Sequence, residues 1–174
     1  YRYTSKKTTT NNNINIPNGE IFHDLLKPRH MVKTMTVCFR HDLFKNYYLN
    51  DREVMNSEWK FIDISIWLML AKHSKFYYFN EVFSTYRLHP ESMSRTIDPI
   101  KRYKFQGLIY DIRFYFVQRF GCPDNIYKEL LVAKNQALLG SAYNLNDKIL
   151  AKKAFNVLKK QNSISFKDRI MLLV

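Results

Sequence analysis

The sequence predicts an α/β fold of short strands around one buried helix, followed by a mainly α-helical C-terminal region. Three observations predict it. Residues 34–40 alternate, with Met35, Val37 and Phe39 facing one way and Thr34, Thr36, Cys38 and Arg40 the other, which is the two-residue period of a strand. Residues 61–71 are apolar almost all round, as a helix buried on most sides must be. Beyond residue 98 strand signals stop and helical periods take over, dividing the chain into regions 1–97 and 98–174.

Residues 1–19 are polar, with Thr8-Thr9-Thr10-Asn11-Asn12-Asn13 and then Pro17-Asn18-Gly19. Such turn chemistry predicts a loop, with a short strand around 14–16. Residues 20–26 predict a short helix with Ile21, Phe22, Leu25 and Leu26 on one face and Pro28 ending it. In the strand expected at 34–40, Thr34 and Thr36 point the same way and can line a site together, or serve simply as β-formers. A loop follows over 45–60. Asp63 then opens the buried helix, where a carboxylate can meet free backbone N–H groups, so an N-cap is one role open to it.

Residues 76–79 and 82–88 predict two short strands joined through Asn80-Glu81, and Pro90 stops the second, leading into a polar loop. In the C-terminal region, residues 103–120 carry apolar side chains at helical spacing until Gly121-Cys122-Pro123. Asp124 or Asn125 can cap a second helix to about 143, Asp147 a third over 148–160, and Ser163 or Ser165 a last one.

An apolar fraction of 46% with 16% aromatic residues specifies a folded chain rather than a disordered one. The formal charge of +13, from 28 Lys and Arg against 15 Asp and Glu, suits an anionic partner: a phosphorylated substrate, a phospholipid surface or nucleic acid. A composition rich in Lys, Asn, Ile, Tyr and Phe, as an AT-rich genome gives, accounts for part of that charge without any partner. Nucleic acid ranks last, because no RNP-like, zinc-finger or clear helix-turn-helix signature accompanies the charge. Cys38 and Cys122 form no CxxC or Cys/His cluster, which fits a reduced, cytoplasmic setting. No apolar run reaches the roughly 20 residues that span a bilayer, so a membrane contact would be peripheral, at the inner face of the cell membrane.

Four pieces in order carry a family resemblance: Gly19-Glu20-Ile21-Phe22 with Leu25-Leu26; Thr34-Met35-Thr36-Val37-Cys38-Phe39-Arg40; Asp63-Ile64-Ser65-Ile66-Trp67-Leu68; and Tyr86-Arg87-Leu88-His89 with Ser92 and Ser94. Over residues 18–95 the chain resembles the acceptor-side second half of the family-2 glycosyltransferases, which have the GT-A fold. The resemblance implies a bacterial enzyme of surface polysaccharide biosynthesis. It would transfer a sugar, with inversion, from a nucleotide-sugar donor to a saccharide or lipid-linked acceptor.

By the same resemblance Asp63 is the catalytic base, and Thr34, Thr36 and Arg40 lie at the acceptor side among the substrate-binding residues. Arg87 and His89 contact the nucleotide diphosphate, and His89 is the candidate ligand to a divalent cation, Mg²⁺ or Mn²⁺. The family holds that cation chiefly through an Asp-Xaa-Asp motif in the nucleotide-binding half. No such motif occurs here, so it is expected upstream of Tyr1, and the fragment alone is expected to be inactive. Ile62 stands where an acidic residue often precedes the base.

The chemistry is consistent with these residue types. A carboxylate near an acceptor hydroxyl removes its proton, while Arg and a metal ion stabilise the departing diphosphate. Glu58 is the reserve base. A rival reading is a non-catalytic helical module whose basic face binds a membrane surface or a partner protein. Lys101, Arg102, Lys104, Arg113 and Arg119 on one expected helix, and Lys152, Lys153, Lys159 and Lys160 on another, supply that face.

Overall fold

A computed structural model describes residues 18–28, 32–60, 62–79, 81 and 98–172. Its elements are α1 (Phe22–Leu26), a 3₁₀ turn (Thr34–Thr36), α2 (His41–Leu43), a π-helical stretch continuing it (Phe44–Leu49), α3 (Arg52–Met55) and α4 (Asp63–His73). Four more follow: α5 (Pro99–Phe120), α6 (Asp124–Leu145), α7 (Lys148–Lys160) and α8 (Phe166–Met171). The predicted strands of the N-terminal region, 14–16 and 82–88, lie outside the described residues.

The expected α/β architecture is overturned: the described residues form an all-α structure with no strand. Among the described residues sheet hydrogen bonding is confined to one isolated antiparallel bridge, Gly19 N–H to Phe76 O at 2.7 Å and Phe76 N–H to Gly19 O at 2.8 Å. Segment 76–79 is therefore a single bridge rather than a strand, and Tyr78 N–H turns to the Asn18 side chain at 2.5 Å. The reason is general. A strand exists only where a neighbour accepts its ladder bonds, and the alternating residues 34–40 have no such neighbour among the described residues. Thr34–Thr36 coils instead into the 3₁₀ turn, Thr36 N–H bonding Lys33 O at 2.9 Å, and 37–40 runs extended.

The helices begin and end for local reasons. At α5, Pro99 takes the first turn and the Asp98 carboxylate accepts from Ile100 N–H (2.8 Å) and Lys101 N–H (3.2 Å). Gly121 closes it at φ 74, a left-handed conformation in which a side chain is disfavoured. Asn146 ends α6 in the αL region, and Asp147 caps α7 by accepting from Leu150 N–H at 2.9 Å. Ser165 and Asp168 form a reciprocal capping box at α8.

The described residues form two apolar cores. The first gathers α1, the π-helical stretch, α3, α4 and α5 around Leu25, Leu26, Tyr48, Val54, Leu68 and Phe116, and Ile126 at the start of α6 closes it. Each fully buried Leu or Phe contributes about 1.5–3 kcal/mol from water exclusion. Ile112 and Phe116 of α5 pack in the same core as α4, so this core draws on both sides of residue 98. The second core lies between α6, α7 and α8, around Leu139, Ala142, Ala154 and Leu158. The long helix α6 serves both.

Among the described residues no helix is long and apolar enough to cross a membrane.

Candidate functional site

α4 is buried along most of its length, and Ile64, Ser65, Trp67, Leu68, Met69, Leu70 and Ala71 are all enclosed. Asp63, its first residue, is exposed. The cap position belongs to Ile62, with no side-chain capping bond, so Asp63 is not the helix's N-cap. Its charge still lies in the first turn, where the helix dipole favours an anion.

The Asp63 carboxylate accepts a hydrogen bond from the Thr34 hydroxyl through Oδ2. Two residues 29 positions apart, both singled out by sequence, thus meet at the mouth of α4.

The start of α4 is held from below and from the side. The Ser65 hydroxyl donates to Ile62 O at 2.7 Å, which commits its only proton. The buried Tyr48 hydroxyl, 2.6 Å from Ser65 Oγ, must therefore be the donor in that pair. Tyr48 belongs to the π-helical stretch, so this two-step chain fixes the turn carrying Asp63 to the preceding segment. From the side, Phe39 sets its ring edge-on to Trp67, with centroids 5.8 Å apart, and tilts against Phe44 at 5.4 Å. Phe44 stacks on Tyr48 at 5.3 Å. The aromatic ladder ties segment 37–40 to α4 without any sheet.

The other predicted residues behave differently. Thr36 does not join Thr34: its hydroxyl donates back to Lys33 O at 2.7 Å, a contact that the 3₁₀ turn brings within reach. Arg40 engages Asp42, Nε to Oδ1 at 3.1 Å and Nη2 to Oδ2 at 2.5 Å. That bond and the charge beside it raise the Arg40 pKa, and the Asp42 carboxyl is held below its ordinary range by the same contact. Arg40 is thus occupied locally on an open surface. Arg87 and His89 lie outside the described residues. Glu58 is exposed in the turn before α4.

Sequence reasoning missed Tyr48, because residues 45–60 read as a loop, and gave Ser65 no role of its own within the expected buried helix. The available signal was Phe44 and Tyr48 at the spacing of one helical turn. Among the described residues no group of three or more His, Cys, Asp or Glu side chains converges as a metal site would.

Among the described residues one concave surface lies between α6 and α8, lined by Tyr143 and Phe166, and another at the opposite end of α4. A cleft of ≈ 380 Å³ there is lined by Glu20, His23, Lys72, His73, Ser74 and Lys75. At 1.5 Å rise per residue it is roughly 15 Å from Asp63 along the helix. Its walls carry opposed charges, and the Lys72 ammonium lies over the Phe22 and Phe120 rings at 5.4 Å from each centroid.

No protein-family model matches the chain, and no curated protein or solved structure is detectably similar to it.

Proposed function

We propose that the chain serves the acceptor side of an inverting sugar transfer from a nucleotide-sugar donor to a saccharide or lipid-linked acceptor, with Asp63 as the general base. The observation that carries the reading is the Thr34–Asp63 pair: an exposed carboxylate on the first turn of a largely buried helix, met by a hydroxyl from a distant segment. A carboxylate keeps acceptor capacity on both oxygens, so with Oδ2 engaged by Thr34, Oδ1 is the atom offered to an acceptor hydroxyl. Proton removal at that atom makes the hydroxyl oxygen the nucleophile.

The helical surroundings mean that this role rests on Asp63 and its immediate neighbours, not on a sheet. The reading places the donor and its Mg²⁺ or Mn²⁺ with residues that supply an Asp-Xaa-Asp motif, which this sequence lacks. A cytoplasmic location belongs to the same proposal, since nucleotide-sugars are made there.

The acceptor half of the reading is testable on the chain itself. Saturation-transfer NMR with a panel of oligosaccharides and lipid-linked saccharide analogues should detect binding, weakened by Thr34→Ala and by Asp63→Ala. Failure of every acceptor in the panel to bind, or binding indifferent to both substitutions, removes the acceptor role.

A further inference from the structure

The outward face of α7 has no role in the sugar-transfer reading and carries an inference of its own. At 100° per residue, Lys148, Lys152, Lys153, Lys159 and Lys160 fall on one arc of roughly 140°. All five are exposed. The opposite side, Ala151, Ala154 and Leu158, is buried against α6. Only Asn156 and Ile149 share the outward arc, and Ile149 is 69% exposed.

The charge on this face is not neutralised from within. Among the described residues no acidic side chain forms an ion pair with any of the five lysines. The acid adjacent in sequence, Asp147, accepts from the Leu150 amide through Oδ1 as the cap of the helix. Five like charges on four turns repel one another, a cost that an anionic partner relieves.

We propose that α7 is the docking surface of this chain for an anionic phospholipid bilayer. Two features favour a lipid surface over nucleic acid. The helix has five Lys and no Arg, so it presents mobile point charges suited to a diffuse negative surface, not the planar forks that read phosphates bidentately. Ile149 stands among Lys148, Lys152 and Lys153; a headgroup layer accepts an aliphatic side chain there, whereas a nucleic-acid backbone offers it nothing. Because the apolar face of α7 is already used by α6, the contact is electrostatic and reversible, with Ile149 as a shallow anchor.

The test is cosedimentation of the 174-residue chain with vesicles of phosphatidylcholine alone or with roughly one-third phosphatidylglycerol. Binding is expected only to the anionic vesicles, weakening steeply as salt rises from ~0.05 to ~0.5 M. The K148Q/K152Q/K153Q/K159Q/K160Q variant, whose Gln residues keep helix propensity, should partition on the order of a hundredfold less. Circular dichroism checks its fold; should that variant unfold, the K152Q/K153Q pair carries the test, with roughly tenfold weaker binding expected. Neutralising Lys101, Arg102 and Lys104 on α5 should change binding far less. Partitioning unaffected by the α7 substitutions, equal binding to neutral vesicles, or tighter binding to an oligonucleotide than to anionic vesicles at the same salt overturns the proposal.

Discussion

The Thr34 hydroxyl donates to the Asp63 carboxylate across 29 residues of sequence, fastening the 3₁₀ turn to the first turn of α4. In the proposed transfer this bond orients the base. Thr34→Val, which removes the donor while keeping the shape, should lower kcat/KM by about 2- to 10-fold, the worth of one ordinary hydrogen bond. Thr34→Ser should restore most of it. A Thr34→Val enzyme as active as the parent, measured with a donor-binding half supplied, separates Thr34 from the site.

Arg119 ties α5 to the segment before α4. Its guanidinium meets Asp51 at 2.6 Å and donates to the Tyr115 hydroxyl at 2.9 Å, and that hydroxyl donates to Glu53 at 2.7 Å. Burial and the bond to Glu53 push the Tyr115 phenol up to about 12. Arg119→Met should cost about 1–2 kcal/mol in urea unfolding, modest because the pair is partly solvated. Burial works to raise the Asp51 pKa, yet the bonds from Arg119 and the Val54 amide outweigh it and leave the carboxyl below 3.8. A depressed folded-state value adds stability that is present above pH 3.8 and lost as pH falls through the folded value, so the substitution should also flatten the acid limb below about pH 4.

His73 stacks on Tyr47 with centroids 4.0 Å apart and an interplanar angle of 7°. Burial, then the positive charges of Lys72 and Arg119, hold its pKa below 6.5, against a smaller opposing effect of Asp51. The neutral ring is therefore the one that fits. Its contribution is complete above pH 6.5 and declines as pH falls from there through the lower folded value. His73→Phe keeps the stack without the titration. Melting curves between about pH 7.5 and 5 should show the parent losing more stability than the variant; parallel losses would place the acid sensitivity elsewhere.

Arg113 is 2% exposed in the first core; its Nε reaches Leu25 O at 3.4 Å and its Nη2 has no partner among the described residues. Burial lowers its pKa. A cation so poorly compensated contributes little, and a well-packed apolar replacement relieves its desolvation. Arg113→Met should leave unfolding free energy within about 1 kcal/mol of the parent or raise it. A loss of about 3 kcal/mol or more would show that the guanidinium is satisfied in the folded protein.

The helices were legible where one local signal decided them. Asp147 before an amphipathic run marked the start of α7, Ser163 or Ser165 was the expected cap of a last helix and Ser165 is the one that caps α8, and the largely apolar run 61–71 marked α4. Segment 34–40 was misread because alternation records only which side chains share a face; whether a ladder forms depends on a partner strand, which no local pattern reports. Residues 45–60 were misread for the opposite reason. Their helical turns are short and irregular, and the apolar residues that anchor them, Tyr48 and Val54, face a core assembled from distant α4 and α5. Asp63 was singled out by the family resemblance at the start of a buried helix, and Thr34 for a strand face shared with Thr36 that does not exist. Its true partner, Asp63, became visible only in three dimensions.

The role of Asp63 is tested most directly by measuring sugar transfer before and after Asp63→Asn, in the presence of a donor-binding half and Mg²⁺ or Mn²⁺. The amide keeps the shape and the hydrogen bond to Thr34 but cannot take a proton. A fall in kcat of about 10²- to 10⁴-fold with acceptor binding retained is expected for the general base. Turnover at the parental rate contradicts it.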